Sequence, residues 1–204
     1  MAWQGMMRVT TVGDVGVGKT CIFIRYTTNQ SPLPYPYPGS TFDAYSEFMK
    51  IAEETFYLEL WETACQEDAF SDRLRPCQYR STTVFLVCFS IVDPRSFKNV
   101  QEKWVPEIKH HCPNIPFLLV GTQIDLRYDR AVLDKLAKNK ETSVSKEEGE
   151  MLAKSLKAGK YVECSSLTGE GIKNVFTEAF MHDIECRKEN VKKTERVKRG
   201  CFVF

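Results

Sequence analysis

Gly13-Asp14-Val15-Gly16-Val17-Gly18-Lys19-Thr20 stands between a short apolar run, residues 9–12, and a helical pattern that begins at Lys19. A strand before and a helix after is the context that G-x-x-x-x-G-K-[ST] requires. Glycines let backbone N–H groups close around phosphates, and the positive end of the following helix adds to the attraction. Lys19 is expected to reach the terminal phosphates of a nucleoside triphosphate, and the Thr20 hydroxyl to ligate Mg²⁺. The bland alternative, a Gly-rich turn before a helix, is disfavoured by these flanks. The motif alone does not choose between ATP and GTP.

Outward from this loop, apolar runs alternate with longer helical patterns. Residues 9–12, 56–61, 84–90, 117–120 and 161–164 read as strands, and 19–26, 97–110, 146–157 and 172–186 as helices. Ser145 followed by Glu148 has the form of a capping box for the third helix. The alternation implies an α/β fold, a mostly parallel sheet with helices on both faces and ligands at the carboxyl ends of its strands. Residues 31–40 and 67–75 read as the two long irregular stretches, and loops of that length tend to carry function.

With 204 residues, 43% of them hydrophobic, the chain suits one domain, or one domain plus a tail. Its eight cysteines include no C-x-x-C pair and no secretory signal precedes them, so neither zinc nor a disulfide framework is expected and a reducing cytosol is the default. The longest apolar stretch, residues 84–92, is far short of the roughly 20 residues that span a bilayer. The net charge of +1 hides an asymmetry. Residues 187–199 hold Arg187, Lys188, Lys192, Lys193, Arg196, Lys198 and Arg199 against Glu189 and Glu195, so the body that remains is mildly acidic. An acidic body argues against nucleic acid as a partner.

Gly121-Thr122-Gln123-Ile124-Asp125 follows one strand and Cys164-Ser165-Ser166-Leu167 the last, positions that suit a base pocket. An ionised Asp125 only accepts hydrogen bonds, so it complements the adjacent ring N–H and amino donors of guanine, a pair that adenine lacks. Taken alone, Asp125 reads equally well as a helix cap.

The combination resembles a Rho-family small GTPase, closest to the Rac and cell-division-control branch. The residues that carry the resemblance are Gly18-Lys19-Thr20-Cys21, Tyr26-Thr27-Thr28-Asn29, Phe42-Asp43-Ala44-Tyr45, Leu60 through Asp68, Asp72-Arg73-Leu74-Arg75-Pro76, and the runs 117–127 and 161–167. The charged stretch 129–140 matches the extra helix of Rho proteins. The resemblance implies a Ras-like P-loop fold, a GTPase domain over 1–186 and a tail over 187–204. It puts nucleotide contacts on Gly13 to Cys21, Glu62, Thr63, Ala64, Cys65, Thr122, Gln123, Asp125, Leu126, Ser165, Ser166 and Leu167. Gln66 is then the catalytic residue that orients the attacking water, and Thr20 and Ser40 hold Mg²⁺. Tyr37, Pro38, Gly39, Ser40, Thr41, Phe42, Asp43, Ala44 and Tyr45 form the effector-binding segment. Effector proteins, exchange factors, GTPase-activating proteins and a prenyl-binding dissociation inhibitor are the implied partners.

Departures from the family pattern cluster at the nucleotide. Valine stands at position 15 where the family usually has glycine, and its branched side chain is expected to project toward the terminal phosphate, where Gln66 and a partner's arginine finger must fit. That finger is worth about 10³ to 10⁵ in rate, so hydrolysis is expected to be slow. Glu62-Thr63-Ala64-Cys65 replaces Asp-x-x-Gly. The longer carboxylate must fold back toward Mg²⁺, and Cys65 lacks the backbone freedom of glycine. A redox-sensor reading of Cys65 lacks a basic neighbour in sequence. Ser40 keeps the metal-binding hydroxyl of a threonine, with Thr41 as the substitute if the loop shifts. Ser31 replaces the aromatic that stacks on guanine, which costs roughly 1 to 3 kcal/mol unless Tyr35 or Tyr37 substitutes. Two extra residues lie within 31–38 and two near 69–71, which touches partner recognition. Gln123 in place of a more general lysine fits the branch, and Ser166 keeps its backbone N–H.

Cys201-Phe202-Val203-Phe204 reads as a C-a-a-X box whose Phe favours geranylgeranylation of Cys201. The basic run beside it supplies the second signal for an anionic membrane surface. The expected location is the cytoplasmic face of membranes, in particular the plasma membrane, with a cytosolic pool. The competing reading of the basic run is nuclear localisation. His110 and His111 read as partners of a helix dipole rather than metal ligands, and Ile172, Val175, Phe176 and Ala179 as a core-facing stripe. Two other outcomes stay open: a non-hydrolysing scaffold held in the GTP form, and a degenerate copy that binds nucleotide poorly. An ATPase is the least favoured.

Overall fold

The computed structural model describes residues 3–32, 45–51, 54–63 and 69–200. In chain order these form β1 (Trp3–Val12), α1 (Lys19–Thr28), β2 (Tyr45–Ile51), β3 (Glu54–Glu62), α2 (Ala69–Gln78), β4 (Val84–Ser90), α3 (Pro94–Asn99), a π-helical turn (Val100–Trp104), α4 (Val105–His111), β5 (Phe117–Thr122), a 3₁₀ turn (Ile124–Leu126), α5 (Arg130–Lys138), α6 (Lys146–Leu156), β6 (Tyr161–Glu163) and α7 (Ile172–Gly200).

Six strands make one sheet in the order β2-β3-β1-β4-β5-β6. All neighbours are parallel except β2, which runs antiparallel to β3 at the edge. Alternating side chains send apolar residues to both faces. Val9, Leu58, Leu86 and Val120 pack with Ile22 and Phe23 of α1 and Val175 and Phe176 of α7. Phe85, Val87, Phe89 and Leu119 pack on the other face with Trp104, Ile108 and Ala153. The fold is therefore the expected α/β sheet, mostly parallel and covered on both sides. The capping box is present: Ser145 Oγ accepts from Glu148 N and Glu148 Oε2 from Ser145 N. The stripe Ile172, Val175, Phe176 and Ala179 is buried.

Three readings need correction. β2 had no counterpart among the expected strands. The stretch 67–75, taken as irregular, contributes most of α2, whose Pro76 and polar composition hide it. The buried Arg75 holds this helix to the body by an ion pair with Glu107 at 3.1 Å. Finally, the last helix, read as 172–186, continues as α7 to Gly200. Arg187 reaches back to the body, donating to Asp183 Oδ1 at 2.9 Å and to Met6 O at 2.7 Å.

Because β1, β3, β4, β5 and β6 are parallel, their carboxyl ends share one rim. Val12 pairs with Val87, Thr11 with Glu62, Ser90 with Thr122 and Gly121 with Glu163. Of the segments singled out in sequence, the one at Gly13 directly follows Val12, the one at Gly121 begins with the last two residues of β5 and the one at Cys164 directly follows Glu163, so they leave the sheet there together with Glu62 at the end of β3. Where neighbouring connections leave such a sheet in opposite directions, a crevice opens beside the strand ends.

Candidate nucleotide site

The loop after β1 turns on glycines whose need differs. Gly13 adopts φ +147°, and a Cβ there would lie 2.2 Å from Cys88 O, so backbone contact with β4 excludes any side chain. Gly18, at φ 90°, caps α1 and has no side chain to offer the first-turn amides, which leaves them for a ligand. Lys19 is buried, with Nζ donating to Gly13 O at 2.9 Å and Asp14 O at 2.5 Å, so its ammonium folds over the loop that it follows.

A cleft of about 360 Å³ opens beside this loop. Val15, Gly16, Gly18, Lys19, Thr20 and Cys21 line it from the loop side, Glu62 from β3, Gln123, Asp125 and Leu126 from the turn after β5, and Ser166 and Leu167 from the turn after β6. These four separate stretches of sequence thus meet at one cavity of ligand size. Val15 is 58% exposed at the cleft wall.

Other expected residues stand behind the lining. Val17 is buried in the core, and Thr122 Oγ1 donates to its carbonyl at 2.6 Å, fastening the loop to β5. Gln123, held at φ 61°, adds a second tie by donating from Nε2 to Gly16 O at 3.0 Å while its Oε1 accepts from Ser90 Oγ at 2.6 Å. Thr63 Oγ1 donates to Thr11 O, away from the cleft. Ser165 is buried and donates to Asp125 Oδ1 at 2.5 Å, which fixes one carboxylate oxygen and orients the other. Asp14 also faces away, toward α3 and the π turn. Tyr45 opens β2, and its hydroxyl donates to Glu47, which pushes the phenol up to about 12. Tyr37 to Ala44, Ala64, Cys65, Gln66 and Cys201 lie outside the described residues.

At the loop end of the cleft Thr20 Oγ1 donates to Glu62 Oε1 at 2.5 Å. The longer carboxylate thus takes up its extra methylene by direct contact with the hydroxyl. Burial raises the Glu62 pKa, opposed by the Thr20 hydrogen bond and by Lys19. The Cys21 thiol beside it is pushed up by burial and by Glu62. A hydroxyl and a carboxylate are the hard oxygen donors that Mg²⁺ prefers, so these residues fit the ion.

Pro32 was missed: it is buried and lines the cleft, whereas Ser31 before it is exposed. The position was readable as part of the base pocket, but its apolar wall comes one residue later. Elsewhere, His110 and His111 close the last turn of α4, and no group of three or more His, Cys, Asp or Glu among the described residues is placed to hold a metal ion. No helix among them is long and apolar enough to cross a membrane.

The phosphate-loop turn, the hard-oxygen pair at its end and the carboxylate at the far side of one cleft are the parts of a guanine-nucleotide site. A family model described as Ras family matches residues 8–185, a span that contains every part of this cleft; the chain belongs to the Ras family of small GTPases, which bind GTP and GDP with Mg²⁺.

Proposed function

We propose that the chain is a Rho-type member of the family, of the Rac and cell-division-control branch, that binds GTP and GDP and cleaves GTP slowly. The observation that carries the reading is Val15, 58% exposed at the wall of the cleft on the phosphate-loop side. A branched side chain there competes for space with the water-orienting Gln66 and with an arginine supplied by a partner.

Lys19 and the uncapped amides of α1 bind the phosphates, and Asp125, steadied by Ser165, reads the guanine edge. Thr20 and Glu62, with Ser40, hold the metal, which when bound neutralises phosphate charge. The segment Tyr37 to Tyr45 presents effector proteins with a surface that depends on the nucleotide. Exchange factors, GTPase-activating proteins and a dissociation inhibitor act on the same switch. The body over 1–186 is tethered by the tail 187–204, with a prenyl group on Cys201 and basic residues against an anionic leaflet. This places the protein on the cytoplasmic face of membranes, with a cytosolic pool.

Val15 equally favours a second reading, a scaffold that holds GTP without cleaving it. The nucleotide on freshly purified protein separates the two: GTP alone supports the scaffold, and GDP a working enzyme. Single-turnover hydrolysis is expected to quicken in Val15→Gly. A wild-type rate that the substitution leaves unchanged overturns the slow-cleavage reading.

A further inference from the structure

Asp14 sits inside the phosphate loop, yet its carboxylate is buried and turned away from the cleft. It accepts from Asn99 Nδ2 at 2.6 Å and from Trp104 Nε1 at 2.7 Å. Residues five apart on an α-helix point about 140° from each other, so a regular helix could not aim both donors at one carboxylate. The π turn supplies the alignment. Val105 N donates to Val100 O, five residues back, and the helix widens so that Asn99 and Trp104 face the same way. Pro106, next in the chain, has no N–H for the carbonyl four residues earlier, which gives the widening a cause.

The same indole is used a second time, on its face. The Arg75 guanidinium of α2 lies 4.9 Å from the ring centroid. Arg75 is 1% exposed and pairs with Glu107, and Tyr79 donates to that carboxylate too. Trp104 itself is 2% exposed. A flat, buried ring whose edge is bound to the phosphate loop and whose face carries a cation from α2 cannot tilt for one without disturbing the other. α2 overlaps residues 62–76, the second switch that the family resemblance implies, so its position bears on whatever docks there.

We propose that Trp104 is a positioning residue that couples the phosphate loop to α2, with Asp14 as its contact on one side and Arg75 on the other. Its consequence for signalling rests on the nucleotide reading above; the coupling does not. When the loop shifts around its ligand, Asp14 draws the indole edge and the ring face moves Arg75, so loop occupancy sets how firmly α2 is held.

Hydrogen exchange on the full chain tests this, with Asp14→Ala, Trp104→Phe and the double variant. Trp104→Phe keeps an aromatic face for Arg75 and loses the N–H together with one ring of the buried indole. Both single variants are expected to speed exchange in the loop and in α2 by about tenfold, the worth of a hydrogen bond to a buried charge. α6 should remain at its wild-type rate. The double variant should exchange no faster than the faster single one, because both remove the same link. Asp14→Ala touches nothing on α2, so wild-type exchange there in that variant overturns the coupling, as does additivity in the double. Should Asp14→Ala fail to fold, Asp14→Asn keeps the size and loses one acceptor, and the same outcomes decide. Binding of a fluorescent GDP to wild type is measured alongside. Absence of binding removes the nucleotide reading, whereas the exchange of α2 in the ligand-free variants still decides the coupling.

Discussion

Replacing Glu62 by Gln should act in opposite directions on the empty and the metal-loaded protein. Gln keeps the length of the side chain and an oxygen that accepts from Thr20 Oγ1, now at 2.5 Å from Glu62 Oε1, and it removes the charge. A neutral acceptor gives up about 1 kcal/mol relative to a charged one. Against that, burial opposes ionisation of Glu62 more than Thr20 and Lys19 together favour it, so the net pKa stands above the ordinary value of 4.5. A raised carboxyl pKa means that the fold prefers the proton. Its contribution to stability is fully present below pH 4.5 and is lost as pH rises through the folded-state value.

Without nucleotide or metal, Glu62→Gln is therefore expected to be more stable than wild type at pH 7.5 by about 1 kcal/mol, which is roughly 2–4 °C in Tm for a chain of this length. The advantage should shrink as pH falls toward 4.5, where the wild-type carboxyl is neutral as well. With Mg²⁺ and GDP the order reverses, because a hard cation prefers a carboxylate to an amide oxygen. Release of a fluorescent GDP should be faster in the variant, and chelation by EDTA should accelerate it less than in wild type. Scanning calorimetry in EDTA from pH 5 to 8 checks the first half and stopped-flow release the second. A variant less stable than wild type at pH 7.5, or a gap that widens on acidification, refutes the reasoning.

Three other perturbations probe the frame of the site. Gly13→Ala puts a Cβ 2.2 Å from Cys88 O at φ +147°, which should cost about 3 kcal/mol or more; an unchanged urea midpoint contradicts the close approach of loop and β4. Asp125→Ala removes the charged acceptor, and guanine-nucleotide affinity should fall about 100-fold by titration, with no such loss if Asp125 only caps the turn. Glu163→Gln weakens the ion pair that holds Arg127, Nη2 to Oε1 at 2.7 Å, beneath the base-reading turn. Both partners are largely buried, so a loss of about 1 to 3 kcal/mol is expected in chemical denaturation.

What could be read in the sequence was what local chemistry dictates. The phosphate loop announces itself because close approach to β4 and the entry to α1 demand glycine at fixed spacing. The central strands are apolar on both faces, and the Ser145–Glu148 cap is complete within four residues. Tyr45–Ile51 fails the same test because an edge strand with Phe48 65% exposed has no clean alternation, and its place depends on antiparallel pairing with β3. Helix α2 holds a proline, leaves Leu74 exposed, and is fastened by Arg75 to a carboxylate 32 residues away.

Asp14 makes the same point within the motif itself. By position it belongs to the ligand loop, but its side chain answers to Asn99 and Trp104, 85 and 90 residues on. Nothing near Asp14 in sequence signals this. The visible mark was at the other end, Pro106 inside the helical pattern 97–110. A proline there must cost the helix a backbone hydrogen bond, and a helix that continues past it has to absorb the defect in its geometry. The π turn absorbs it by opening one turn, and that turn is the one that brings Asn99 and Trp104 to bear on a single carboxylate. The irregularity in the helix and the rigidity of the loop therefore have the same origin.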